Sequence, residues 1–331
     1  VKIALAFSIA TFVVVKNDNS ISTFPQGFTR LVQLHIPHSD YQLLDFGQGR
    51  KLEQIHNTIV DRPCPGANVA RSGSALWQQS HLSFDLTKKE SWYYRSSCKG
   101  AFNDAGSDWV CRCESIRMHI KPTPAGQIGI FPEHWAHWPW LKGQLLGDTI
   151  AEMPRMPPPR VLSLFAYTGA TTLAMADYGC EVTHVDASKP TVQWAKQNAV
   201  LSGMSDKPIR WIVDDASAFV KRELRRNRPY EAILLDPPTY GHGAQGDRWE
   251  IHRDLLPLLE DCWQLLSEKR CALLLCGHSS NIDVRDINKQ LSKRHGKQVV
   301  DSCEVVQAHL TDQAGRKLDC GFAAKYSLCR K

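Results

Sequence analysis

A chain of 331 residues is roughly twice the usual domain length, which points to one large α/β unit with a smaller module beside it. Its composition, 43% hydrophobic, 22% charged and 9% aromatic, excludes a collagen, a disordered tail and a multi-span membrane protein. Lysine and arginine outnumber aspartate and glutamate by 40 to 34, a formal charge of +6, which permits a polyanionic partner without demanding one.

At the amino end, Lys2 precedes a thirteen-residue apolar run from Ile3 to Val15, closed by Lys16. The run is too short for a bilayer span, which takes about 20 residues, but it has the size of a targeting h-region; a buried first strand is the competing reading. No membrane partner is expected of the mature chain. Val1 in place of Met leaves the native start open. Residues 1–35 are set apart as a possible targeting or unmatched segment. Eleven cysteines, an odd number, fall mostly in segments that look like core and are taken as reduced thiols. Targeting plus free thiols would favour a plastid or mitochondrial interior over secretion; without targeting, the cytoplasm is expected. Cys111 and Cys113 form the one tight pair and no second pair stands at zinc-ligand spacing, so no metal is expected.

Residues 36–150 form the next unit, a β-rich module. Alternation over Tyr41–Phe46, a turn at Gly47–Gly49 and further runs at Ile55–Val60, Ser91–Tyr94 and Ile116–Ile120 predict short strands, with Asp61–Gly66 and Lys121–Gly126 as breakers. The stretch from Met153 to Pro159 carries four prolines and reads as a stiff connector. A third unit, 151–331, contains it and continues beyond it with a different texture. Strands are predicted at Val161–Phe165, Glu181–Val185, Ile209–Val213, Glu231–Leu235 and Cys271–Cys276, and helices at Ala170–Tyr178, Lys189–Ser202, Ala218–Arg226 and Arg253–Leu266. Strict βα alternation implies right-handed crossovers and a doubly wound, mostly parallel Rossmann-like sheet.

Ligands of such sheets bind outside the carboxyl ends of the strands, where strand order reverses. Four predicted strands end there in a conspicuous group. Thr168-Gly169, after Phe165 and Tyr167, makes a tight turn that lets a ligand approach a helix N-terminus. Asp186, followed by Ala187, can accept both hydroxyls of a ribose, although it could also cap the helix that starts near Ser188. Asp215, followed by Ala216, would lie one strand over near an adenine, or serve as an N-cap. The sharpest feature is Asp236-Pro237-Pro238-Thr239-Tyr240. Two prolines directly after a hydrophobic strand predict a rigid loop whose carbonyls lack local donors. With the Asp236 carboxylate they suit an amino or ring N–H group on a planar base, and Tyr240 could stack on its face. A bare strand terminator is the other reading.

Phe165–Thr172, the Val185-Asp186 strand end, Trp194-Ala195-Lys196-Gln197-Asn198 and Asp236–Tyr240 resemble the class I S-adenosylmethionine-dependent methyltransferases, specifically the subgroup with bacterial large-subunit ribosomal RNA cytosine-C5 and guanine-N7 enzymes. The resemblance covers roughly residues 160 to 280, and Tyr41–Glu53 and Gly129–Glu133 resemble the same subgroup's lead-in. It implies S-adenosylmethionine as cofactor and RNA, ribosomal RNA first, as partner. Phe165, Tyr167, Thr168 and Gly169 would line the methionine and ribose side; Asp186 would hold the ribose and Asp215 the adenine amino group. Asp236, Pro237, Pro238 and Tyr240 would meet the base, and Phe131, Pro132 and Glu133 would close over the cofactor.

Cytosine C5 methylation requires a cysteine that adds to the ring first. Cys276 lies near the expected place but its surroundings depart from that pattern, so a buried strand thiol is the preferred reading, and His278 reads as a loop residue. Basic runs at Lys221–Arg228 and Lys293–Lys297 are solvated helix faces or phosphate contacts. Trp135, Trp138 and Trp140 either glue the two units together or stack on bases. The rivals to an RNA methyltransferase are a methyltransferase of a protein amide or small molecule, and a non-catalytic RNA-binding assembly factor with the same fold.

Overall fold

The computed structural model describes residues 38–85, 87, 91–94, 109–147, 157–242, 248–268, 270–278 and 282–329. The 1–35 segment, with its apolar run, and residues 151–156 of the proline connector lie outside the described residues.

The amino-terminal module opens with β1 (Tyr41–Gly47), β2 (Arg50–Ile55) and β3 (Thr58–Pro63), then α1 (Ser74–Trp77), β4 (Leu82–Phe84) and β5 (Trp92–Tyr94). The five strands lie side by side in chain order, antiparallel except for β3 and β4. Gln48 and Gly49 close the first hairpin with φ of +54° and +72°, the two-residue turn whose twist suits paired strands. A second hairpin, β6 (Val110–Cys113) and β7 (Ile116–His119), precedes a 3-10 helix at Pro132–His137 and α2 (Trp138–Leu146).

The larger unit follows as β8 (Arg160–Leu164), α3 (Ala170–Asp177), β9 (Glu181–Asp186), α4 (Lys189–Leu201), β10 (Ile209–Val213), α5 (Ala216–Arg225) and β11 (Ala232–Leu235). A short hairpin, β12 (Tyr240–His242) and β13 (Arg248–Glu250), leads into α6 (Ile251–Leu265), β14 (Arg270–Gly277), α7 (Val284–His295) and α8 (Gln298–Asp301). Two long strands, β15 (Cys303–Thr311) and β16 (Lys317–Cys329), end it. Sheet order is β10-β9-β8-β11-β14-β16-β15. The first five strands are parallel and β16 and β15 are antiparallel additions. Winding runs outward from β8 in both directions, so strand order reverses between β8 and β11, and a cleft opens there at the carboxyl edge.

The central strands are apolar at nearly every position because both faces are covered. Ala232 and Leu234 of β11 face one core and Ile233 and Leu235 the other; in β14, Ala272, Leu274 and Cys276 alternate likewise with Leu273 and Leu275. The second core is closed by α5, α6 and α7. The first continues without a break into the amino-terminal module, taking in Tyr41, Leu43, Ile55, Met118, Trp135 and Trp138. Trp135 and Trp138 are thus buried where module and sheet meet.

Two polar devices brace the module, one within it and one to the larger unit. Glu53 is fully buried and accepts from Tyr41 Oη (2.8 Å), Lys51 Nζ (2.9 Å) and the Arg62 guanidinium. Arg62 in turn donates to Gln127 Oε1 (2.8 Å), tying β3 to the approach to the 3-10 helix. Burial alone would raise the Glu53 pKa, but Arg62 and Lys51 overcome it and bring it down to about 2. The second device joins the ends of the described chain. Arg316, in the β15–β16 turn, forms an ion pair with buried Asp45 of β1 and donates to the carbonyls of Phe46 (3.1 Å) and Ala70 (2.8 Å). Asp45 also accepts from Trp77 Nε1 at 2.6 Å.

Glu53→Gln leaves buried cations without their counter-charge and is expected to cost about 3–5 kcal/mol. The Glu53 pKa is lower folded than unfolded, so its contribution is complete above roughly pH 4.5 and is lost as pH falls toward 2. Urea midpoints followed from pH 7 to pH 3 should fall faster in the native chain than in the variant.

Candidate functional site

Where strand order reverses, a cavity of about 620 Å³ opens on the side of the sheet that faces the amino-terminal module. That space includes the open mouth of the cleft, and the enclosed part is only about 70 Å³. Its floor is Ser163, Leu234, Leu274 and Cys276, its far wall the loop from Phe165 to Thr171, and its near wall Gly129–Phe131 and His134 of the module.

The loop after β8 is bent in an uncommon way. Phe165, Tyr167 and Gly169 have φ of +53°, +50° and +87°. A left-handed aromatic residue is a true outlier and costs on the order of 1–3 kcal/mol, which is typical of ligand-holding segments. Gly169 caps α3 in that conformation, and a Cβ there would stand 3.1 Å from Ala195 Cβ. The bend is held by Asp186, whose Oδ2 accepts the Tyr167 amide and Oδ1 the Ser188 amide, both at 2.9 Å. Burial raises the Asp186 pKa and these two N–H groups partly offset the rise. Two of the carboxylate's four or so lone-pair sites are thereby used, leaving acceptor capacity for a ligand. Beneath the loop, His184 is fully buried and desolvation lowers its pKa to about 3, so it is a neutral ring bonded to Thr172.

The module meets this loop through α4. Asn198, fully buried, donates to the Thr168 carbonyl (2.9 Å) and accepts the His119 amide (2.9 Å). One turn earlier Trp194 Nε1 donates to the His119 carbonyl (3.1 Å), and its ring lies so close to Gly129, at φ +97°, that no Cβ would fit. Thr168 Oγ1 donates to the Gly129 carbonyl at 2.6 Å. Trp194 and Asn198 share a helix face by their spacing of four, and that face carries the junction.

Of the residues singled out from the sequence, Phe131, Phe165, Tyr167, Thr168, Gly169 and Asp236 line the cavity. Asp186 stands behind the loop it braces, with Ala187 between it and the cap of α4. Asp215 is the N-cap of α5, accepting the Ala218 amide at 2.8 Å, and Ala216 is the buried first residue of that helix. Pro132 starts the 3-10 helix, while Glu133 is 5% exposed and does not line the cavity. Pro237 and Pro238 follow β11 as expected, but the loop's carbonyls do have local donors: Trp249 Nε1 bonds Pro238 O (2.7 Å) and the Ile251 amide bonds Thr239 O (3.0 Å). The β12–β13 hairpin folds back and supplies them, which a reading of the pentapeptide alone could not include. Tyr240 is 48% exposed at the start of β12. His134, Ser163 and Asn198 carry roles that the sequence reading missed; a helix-borne Asn one turn after Trp194 was the available signal.

Cys276 lies at the cavity floor but is 5% exposed. Burial, with the Asp236 and Glu133 carboxylates, pushes its thiol well above the ordinary range. It is held protonated, whereas attack needs the thiolate. The basic runs also find their places. Arg222 turns back to pair with Asp214, Arg226 pairs with Glu223, and Arg228 lines a second cavity at the amino edge of the sheet with Arg160 and Arg210. The Lys293–Lys297 run ends α7, which points to that same edge.

The fold and site together define an α/β enzyme that binds a nucleoside-type ligand at the carboxyl edge of its sheet. No family model matches the chain. A solved S-adenosylmethionine-dependent methyltransferase from Agrobacterium tumefaciens is 30% identical, with 88% of this chain and 91% of that one covered and a TM-score of 0.75. A Streptococcus mutans protein assigned to the same enzymes shares the fold at 15% identity and a TM-score of 0.63, over 88% of this chain and 75% of its own. Among curated relatives, ribosomal RNA large subunit methyltransferase K/L of Shewanella frigidimarina is 36% identical over 109 residues, 32% of this chain and 15% of the relative. The protein of that name from Hahella chejuensis is 34% identical over 152 residues, 45% of this chain and 19% of its own length. The chain thus spans less than a fifth of these curated relatives. It belongs to the S-adenosylmethionine-dependent methyltransferases.

Asn198→Leu keeps the volume but strands the His119 amide and the Thr168 carbonyl. At about 1–3 kcal/mol for each of the two unsatisfied buried groups, a loss of roughly 2–6 kcal/mol in denaturant unfolding is expected.

Proposed function

We propose that this chain transfers a methyl group from S-adenosylmethionine to a base of RNA, ribosomal RNA first. The observation that carries the reading is that Asp236 lines the same cavity as the strained Phe165–Gly169 loop, so that a cofactor on one wall faces an acceptor on the other. The residues fit such a cofactor. Asp186 has acceptor sites left for the ribose hydroxyls, Gly169 leaves the end of α3 open, and Phe165, Tyr167 and Phe131 offer an apolar and aromatic lining. Asp215 retains one carboxylate oxygen beyond its cap for the adenine amino group. The bound cofactor supplies a methyl group on a sulfonium centre.

The chain's own task is then chiefly geometric. An in-line displacement gains most from holding acceptor and methyl at about 3–3.5 Å. Asp236 would accept a hydrogen bond from an amino or ring N–H group, while Pro237 and Pro238, braced by Trp249, keep that carboxylate from swinging away. Exposed Tyr240 would cover the base from outside. A nitrogen acceptor suits this site better than cytosine C5, because protonated Cys276 is a poor nucleophile. RNA as acceptor rests on the names of the curated relatives and agrees with the net positive charge. Phosphate contacts beside the base would come from groups other than Arg225–Arg228 and Lys293–Lys297, which belong to the opposite edge. No helix of the described residues is long and apolar enough to cross a membrane. Nine cysteines among the described residues are free, which accords with work in a reducing cytoplasm or organelle interior.

Ribosomal RNA and total protein offered with methyl-labelled cofactor should give label in RNA; label in protein alone would end the RNA version. Asp236→Ala should lower the rate at least about 100-fold while leaving S-adenosylhomocysteine affinity within a few-fold by calorimetry, whereas Asp186→Ala should weaken that affinity about 100-fold or more. Cys276→Ala should retain most activity, and a complete loss would restore the covalent route.

A further inference from the structure

We propose that His134, Asp236 and His278 bind a divalent transition metal, zinc first, at the rim of the cavity, with coordination positions left open toward the acceptor. The three come from separate elements: the 3-10 helix of the module, the end of β11 and the residue after β14. One ligand atom of each lies within 4.8 Å of the other two. His134 Nε2 and Asp236 Oδ2 are 3.6 Å apart. That is too long for a hydrogen bond, yet close to the roughly 3.3–3.6 Å between two ligands of one tetrahedral zinc with bonds of about 2.0–2.2 Å. The spacing therefore suits an ion between the groups better than a direct contact. His278 is exposed, so it can close the remaining gap without disturbing the core.

The donor set favours the same conclusion. Two imidazoles and one carboxylate suit zinc and its late first-row neighbours, and three protein ligands with an open position are the pattern of catalytic rather than structural zinc. The surroundings are also built. The rings of His134 and His278 are 5.8 Å apart, and Phe131 lies 5.8 Å from the first and 6.2 Å from the second, giving an apolar collar on one side. An independent sign is Glu133. It directly precedes His134 in the chain, is 5% exposed, and its Oε2 has no hydrogen-bond partner among the described residues. A buried carboxylate beside a metal-bound histidine is the usual acceptor for the ring's second N–H, and that role would resolve an otherwise costly orphan oxygen. A search by cysteine spacing does not find such a site, because its ligands are far apart along the chain and contain no thiol.

The inference rests on the reading that the acceptor meets Asp236: an open position beside that carboxylate would take a ring nitrogen or carbonyl oxygen of the base and fix its orientation. Its test does not depend on turnover. The full chain, stripped with EDTA and dialysed, is titrated with cobalt(II) chloride and then zinc chloride. The expected result is one equivalent of cobalt bound at micromolar concentration with visible absorption, displaced by zinc. His278→Ala should weaken binding by more than the roughly 10–100-fold typical of an outer partner, and Glu133→Gln by about that range, with circular dichroism unchanged. No saturable binding below about 100 μM, or undiminished binding in His278→Ala, would overturn the site. S-adenosylhomocysteine calorimetry on the metal-free chain separates the two readings. Cofactor binding without cobalt uptake removes the metal alone, and cobalt uptake without cofactor binding keeps the metal and removes the methyltransferase reading.

Discussion

The Asn198 side chain lies in a fully enclosed place and donates to the Thr168 carbonyl of the Phe165–Gly169 loop while taking a hydrogen bond from the hairpin of the amino-terminal module. A carboxamide without water to fall back on has few tolerable positions. Thr168, reaching the other way to the Gly129 carbonyl, and Trp194, pressed close against the same glycine, close a ring of contacts around it. Each wall of the cavity is therefore held by the other, and the pocket exists only while the module is seated.

The same economy governs the charges. Glu53 and Asp45 are both completely buried, and each is surrounded by enough donors to stay ionised. For Asp45, burial works against ionisation, and the indole of Trp77, the amides of Ser72 and Phe46 and the Arg316 guanidinium outweigh it. A partly satisfied network would be worse than an apolar core, so Glu53 fixes the strands of the module against one another, and Asp45, through Arg316, holds the module to one orientation on the sheet. That orientation brings His134 and Phe131 to the rim.

Much of the larger unit was legible because its signals are local. A short apolar run, a terminal acid or glycine and a following amphipathic stretch recur from β8 to β14, and parallel strands with right-handed crossovers follow from that alternation, whereas the point where strand order reverses is set by the folded sheet. The loop at Phe165–Gly169 was legible for the same reason. Less visible was the hairpin of β15 and β16: Lys325 and His309 are buried in it, which interrupts the apolar pattern, and its partners are set by position in the sheet. Asp215 was ambiguous because an N-cap and an adenine ligand demand the same residue type at the same place, and here the cap is satisfied. His134 was hidden among tryptophans whose burial dominates that stretch. Only the convergence of β11, β14 and the 3-10 helix gives it neighbours, and convergence of that kind is a property of the fold as a whole.

Arg316 belongs to one of the last parts of the described chain, and its anchorage is on the first strand. During synthesis the early hairpins would emerge and pair long before their guanidinium partner leaves the ribosome. Until then Asp45 would be a carboxylate awaiting its counter-ion, and the near wall of the pocket would lack its final fastening. Affinity for small ligands should accordingly arrive late in the life of a nascent chain.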